Sequence, residues 1–135
     1  TAFPSGVRNT PVEITESIAP VIFHQKELRE GSGGDGQYRG GHGQVIEISH
    51  AEGAPFAIYA LFDRVDHPAR GRHGGSDGVA GTVCLTSGKK LKTKGKQIIP
   101  AGEHLLMELP GGGGYGDPAK RDPALRQRDQ DNDLE

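Results

Sequence analysis

The segment Leu109-Pro110-Gly111-Gly112-Gly113-Gly114-Tyr115-Gly116-Asp117-Pro118 concentrates residue types from which a binding loop is made. Four consecutive glycines let another group approach the backbone closely and give access to positive φ. The N–H groups of such a run can point outward together as an anion nest. Tyr115 adds a rigid aromatic ring with a hydroxyl, and Asp117-Pro118 reads as an N-cap followed by the first helical residue. A nucleotide-binding P-loop requires Gly-Lys-Ser/Thr behind its glycines, so that the lysine and Mg²⁺ meet the phosphates. Tyr115-Gly116-Asp117 stands there instead, and an aspartate carries the wrong charge beside a phosphate. The residues therefore fit a tight loop at an interface, or one lining a neighbouring active site, better than a nucleotide cradle. Gly111, Gly112, Gly113, Gly114, Tyr115 and Asp117 are its candidate substrate or interface residues.

Two other stretches carry suitable groups. Gly31-Ser32-Gly33-Gly34-Asp35-Gly36-Gln37-Tyr38-Arg39-Gly40-Gly41-His42-Gly43 reads as a second anion loop with Arg39 as donor, or equally as a connection folding a hairpin onto the core. Arg8, Asn9 and Glu13 lie within six residues and could bind a carboxylate or bridge to a larger polypeptide; the sequence does not separate the two. Asp63, Asp66, His67 and His73 share a glycine-flanked loop, but their spacing matches no zinc or facial-triad pattern. His67-Pro68 also fixes an extended backbone there, so polar loop residues are the simpler reading. His24, His50 and His104 fall on isolated strand positions, so no metal site is assigned. Cys84 sits in an apolar strand-like run and reads as a buried, inert thiol. No Ser-His-Asp, Cys-His or paired-acid set can be assembled, and catalytic residues remain unassigned.

The elements that must position these groups have mainly a period of two. Val12 and Ile14 alternate with Glu13 and Thr15, Ile46 and Ile48 with Glu47 and Ser49, and Leu105, Met107 and Leu109 with His104 and Glu108, which predicts half-buried strands. Residues 56–62 are apolar on both faces and predict a central strand, and residues 21–28, 83–86 and 97–99 supply more. Pro100-Ala101-Gly102 predicts a tight turn. The expected fold is all-β, mainly an antiparallel sandwich or barrel-like domain, with helix only after Asp117. A single module over 1–128 with an acidic, frayed tail over 129–135 is expected. The 135 residues suit one domain with a modest core, and the 22 glycines cluster between elements rather than forming a repeat. A net charge of −2 gives no basis for nucleic-acid binding, and the lysines of 89–96 read as a solvated turn. The single cysteine fits a reducing cytoplasm. No apolar run is long enough to span a bilayer, and no signal peptide is recognisable.

Residues 109–122 also resemble the C-terminal signature of the hydantoinase B family. That family includes N-methylhydantoinase, the C-terminal half of ATP-dependent oxoprolinase, and the large subunits of acetone and acetophenone carboxylases. Pro4-Ser5-Gly6-Val7-Arg8-Asn9-Thr10-Pro11-Val12-Glu13, the stretch from Gly33 to Gly43, and Asp122-Pro123-Ala124-Leu125 resemble the family in the same order. The family's large subunit is several times longer, so the chain looks like its C-terminal region, as a small subunit, split product or fragment. The resemblance implies ATP-dependent hydrolysis of a cyclic amide, with ketone carboxylation or a purely structural module as alternatives. It implies no cofactor on this chain. ATP with Mg²⁺ is expected on a hydantoinase A-like partner, and a divalent metal in upstream regions. The implied partners are that subunit, the longer part of the hydantoinase B-like subunit and a small-molecule substrate. Because the chain starts inside a family motif, an uncovered apolar edge or patch is expected; its C-terminus departs from the family's usual continuing helix.

Overall fold

The computed structural model describes residues 9–134. Arg8 and the motif residues before it lie outside the described residues. In chain order the elements are α1 (Val12–Ile18), β1 (Val21–Leu28), β2 (Gln44–His50), β3 (Phe56–Leu61), β4 (Thr82–Leu85), β5 (Lys94–Ile99) and β6 (Leu105–Glu108). A 3₁₀ turn (Pro118–Lys120) and α2 (Pro123–Asp131) follow. β1, β2, β6 and β4 form an antiparallel sheet in that order, and β3 pairs antiparallel with β5 in a second sheet.

Both sheets feed one core. Val83 and Leu85 from β4, Leu105 from β6 and Ile99 from β5 are buried together. Ile48, Phe56, Ile58 and Met107 pack around them from β2, β3 and β6. The period-two alternation puts every second residue of β4 and β6 inward, as their sequences predict. The strands are mainly antiparallel, and among the described residues they do not close into a barrel.

Three expectations are corrected. Residues 12–15 are helical, so helix is not confined to the region after Asp117. Val12, Thr15 and Ala19 are the half-buried positions, a helical spacing that a four-residue alternation cannot be told from. Pro11 starts the turn, and its carbonyl accepts from Thr15 N at 3.2 Å and Thr15 Oγ1 at 3.3 Å. Second, β3 is not a central strand: it pairs with β5, and its outer face, Ala57, Tyr59 and Leu61, is open to solvent. Third, Lys94 and Lys96 belong to β5 rather than a turn, standing opposite Leu61 and Tyr59 on that outer face.

The C-terminal region is also more anchored than its acidity suggests. Asp117 and Asp122 each accept from the N–H two residues on, at 3.0 and 2.9 Å, as N-caps ahead of proline. α2 then runs through Asp129, whose side chain is buried against Arg39 and Arg121. The Leu134 carbonyl accepts from Gly31 N and from Arg39 Nη1. α2 thus continues past residue 128, and both Asp129 and Leu134 are bonded to the glycine-rich loop over 31–43.

Candidate functional site

The glycine-rich stretches meet. Residues 32–43, 69–79 and 109–116 run beside one another as three segments joined backbone to backbone. Gly34 N donates to Gly112 O at 2.8 Å, Gly112 N to Gly41 O at 2.8 Å and Gly111 N to Val79 O at 3.0 Å. Gly114 N donates to Ser76 O, Gly116 N to Arg72 O, and Tyr38 and Tyr115 exchange both of their backbone hydrogen bonds at 2.9 Å. The approach is closer than any side chain permits. A Cβ on Gly40 would overlap the Gly112 carbonyl, one on Gly111 the Ser32 carbonyl and one on Gly114 the Asp35 carbonyl. Glycine is used here to remove the side-chain layer between neighbouring backbones.

Ser32 fixes one end of this bundle. It is fully buried, donates from Oγ to Arg29 O at 2.6 Å and accepts from Gly43 N at 2.8 Å, closing the loop between them. Arg29 extends the clasp: its Nη1 donates to Ala80 O at 2.8 Å, and its Nη2 lies 3.5 Å from Glu108.

This geometry answers the anion-nest expectation. The N–H groups of Gly111, Gly112, Gly114, Tyr115 and Gly116 already donate to carbonyls, so they form no outward nest. Gly116 alone in the run has a positive φ, 78°. Its turn carries the chain from the bundle into the Asp117 cap.

The other end of the bundle is aromatic. The Tyr38 and Tyr115 rings stand 6.4 Å apart, and the His73 ring lies 4.9 Å from Tyr115. Tyr38 is 61% exposed and Tyr115 50% exposed. Six of the sequence-selected residues, Gly111, Gly112, Gly113, Gly114, Tyr115 and Tyr38, thus converge in one body, with Asp117 at its exit. Arg39, next to Tyr38, turns instead to the buried Asp129 at 3.3 Å. Asn9 and Glu13 are exposed; Glu13 lies on α1, which packs against β1. Among the described residues they share no described bond with the bundle.

Sequence reasoning missed Ser32, Arg121 and Asp129. Asp129 had a usable signal: it falls four residues after half-buried Leu125 on the helix that Asp122-Pro123 announces. Ser32 and Arg121 had none: Ser32 bonds backbone groups of Arg29 and Gly43, which no side-chain pattern records, and Arg121 reaches Asp129 from outside the helix that carries it.

Two cavities flank the base of the bundle. One of about 480 Å³ is lined by Leu61, Phe62, Val65, Val83 and Leu109, with His42, Asp63, Arg64 and Glu108 among its polar groups. It is the more apolar, but it shares no lining residue with the tyrosine end. The other, about 470 Å³, is lined by Arg64, Asp66, His67, Arg70, Arg72 and Asp77. Arg72 ties it to the tyrosine end through its backbone bridge to Tyr115. The loop acids and histidines do not gather: Asp63 pairs with Lys94 on the surface, which lowers its pKa by hydrogen bonding and charge. His24 and His104 stack at 4.3 Å, His24 bonded to Ser49 Oγ at 2.7 Å and His104 to Glu47 at 2.6 Å. Cys84 is half-buried on β4, and desolvation, with Glu108 nearby, raises its pKa.

The family model for hydantoinase B/oxoprolinase matches residues 1–118. The chain belongs to the hydantoinase B/oxoprolinase family. 5-Oxoprolinase 1 of Arabidopsis thaliana is 39% identical over 116 residues, covering 83% of this chain and 9% of that protein. The 5-oxoprolinase of Dictyostelium discoideum is 36% identical over 116 residues, again covering 83% of this chain and 9% of that protein. Among solved structures, the ATP-dependent caprolactamase of Pseudomonas jessenii superposes with a TM-score of 0.73 at 25% identity, over 92% of this chain and 23% of that chain. This hydantoinase B/oxoprolinase chain thus spans less than a quarter of each of these proteins. Among its described residues, no helix is long and apolar enough to cross a membrane.

Proposed function

We propose that this chain is the C-terminal part, or a small subunit, of an ATP-dependent hydrolase of cyclic amides of the hydantoinase/oxoprolinase type. The family match over residues 1–118, with an oxoprolinase relative at 39% identity, carries this reading. In it, phosphorylation of the substrate's carbonyl oxygen makes that oxygen a better leaving group, and the hydantoinase B-type polypeptide acts on the activated amide.

The groups of this chain do not fit the ATP site or the metal site that the reaction implies. The N–H groups of Gly111, Gly112, Gly114 and Gly116 are taken by carbonyls, no lysine directly follows them, and among the described residues no three His, Cys, Asp or Glu side chains converge. Both sites are assigned to a hydantoinase A-like partner and to the longer part of the hydantoinase B-like polypeptide. What this chain supplies is a stiff backbone scaffold. It presents Tyr38, Tyr115 and His73 as a solvent-facing aromatic cluster where substrate or a partner polypeptide meets it. The outer face of β3 and β5 supports a protein partner: Tyr59 is 74% exposed, Leu61 79% and Ile98 58%, with Lys94 and Lys96 beside them. Such a face suits an apolar surface with acidic groups on the longer hydantoinase B-like polypeptide.

Reconstitution with hydantoinase A-like and longer hydantoinase B-like polypeptides tests the reading. ATP-dependent opening of 5-oxoproline, a hydantoin or a lactam is expected only in the assembly, with no nucleotide binding by this chain alone. Micromolar ATP affinity of the isolated chain, or bicarbonate-dependent ketone consumption with no amide hydrolysis, would overturn it.

A further inference from the structure

The geometry points to a binding site for a small oxyanion, phosphate or carboxylate, in the cavity between Arg39, Arg121 and Arg126. The site lies where α2 meets the loop over 31–43, and it does not rest on the hydrolase reading. The cavity measures about 260 Å³ and is lined by Asp35, Gly36, Arg39, Pro118, Arg121 and Arg126.

Charge imbalance is the first observation. The Arg39 and Arg121 side chains are 10% and 8% exposed, and both are paired with the single buried carboxylate of Asp129. Arg128 reaches the same carboxylate at 3.7 Å from the surface. Two buried guanidinium groups therefore share one buried negative charge. Buried charges are strongly unfavourable unless paired, so among the described residues one positive charge in this layer lacks a buried counter-ion.

Unused donors are the second. Arg121 gives Nη2 to Asp129 but leaves its buried Nε without an acceptor. Arg39 uses Nη1 on the Leu134 carbonyl and Nη2 on Asp129. Arg126 makes only a long 3.5 Å contact with the Pro118 carbonyl and no described ion pair, so its fork is available at the mouth. Guanidinium forks match the oxygen spacing of carboxylates and phosphates and can hold them bidentately.

Asp35 is the one carboxylate on the lining. It is exposed, and its backbone N and O are held by Ser76, so it is solvated rather than buried against the arginines. It opposes an incoming anion and sets the sign of one control.

The test is calorimetry and thermal unfolding of the 135-residue chain with sodium phosphate and, separately, sodium acetate, against KCl at matched ionic strength. Saturable binding of at least one oxyanion is expected, with a rise in Tm that KCl does not reproduce. Arg126→Gln should weaken binding about tenfold, the scale of one lost charged hydrogen bond, while leaving Tm without the anion unchanged. Asp35→Asn should tighten it. Response to phosphate alone or acetate alone identifies which oxyanion the site takes. Absence of saturable binding, an affinity unchanged in Arg126→Gln, or an equal effect of KCl would overturn the proposal.

Discussion

Glycine and its nearest replacement differ by one methyl group, and in the three-segment bundle that methyl has nowhere to go. Gly111→Ala and Gly114→Ala would each drive a Cβ into a carbonyl of an adjacent segment and separate backbones that hydrogen-bond. A loss of about 3 kcal/mol is expected, at the upper end for overpacking. Gly41→Ala, with nothing within 4 Å of its Cβ, should change stability by only a few tenths. Urea melts of the three variants check this, and equal midpoints would refute the close approach. The same space decides how a catalytic role is probed. Gly113→Ala would strike the Arg70 carbonyl, so it reports on folding; Tyr115→Phe removes only an exposed hydroxyl. In the reconstituted assembly, Tyr115→Phe should lower turnover severalfold at an unchanged Tm if that hydroxyl touches substrate. At Cys84 the raised pKa means less thiolate at any given pH, so alkylation at pH 8 should be slower than that of an exposed thiol. The sign for stability follows: a neutral thiol favours the fold at low pH, and that contribution fades as pH climbs through the raised pKa.

Elements show where side-chain pattern suffices to read structure and where it does not. Truncation after Arg128 removes Asp129 and strands Arg39 and Arg121 without their carboxylate, so a loss of about 3–5 kcal/mol is expected. A frayed tail would be dispensable, and an unchanged Tm after truncation would show residues 129–135 to be one. β4 and β6 were legible because each has one face on the core and the other away from it. Asp117-Pro118 and Asp122-Pro123 were legible because caps act over two residues of chain. α1 was not, since Val12 and Ile14 satisfy an alternation too short to exclude a helical turn. β3 misled for a different reason: its second apolar face is real, but the described residues do not cover it. The glycine segments were visible as composition, and the resemblance marked them, yet their pairing was hidden. Side-chain patterns carry no record of contacts made between backbones.

At the scale of the whole molecule, the open β3–β5 face bears on assembly. Leu61→Glu should leave Tm nearly unchanged, since Leu61 is 79% exposed, but weaken co-purification with the longer hydantoinase B-like polypeptide. Undiminished recovery of the complex would remove that face from the interface. The bundle has a kinetic consequence as well. Its three segments come from around residues 35, 75 and 113, so it forms only after the sheets have drawn distant parts of the chain together, and long-range closure is slow. Nor can it loosen by degrees, because its segments are held mainly backbone to backbone and leave little side-chain packing to fall back on. Amide protons on Gly34, Gly112, Gly114 and Gly116 should therefore exchange with deuterium together and slowly, in step with global unfolding. A polyglycine stretch, which looks like the loosest part of the sequence, would then be among the last parts of the molecule to open.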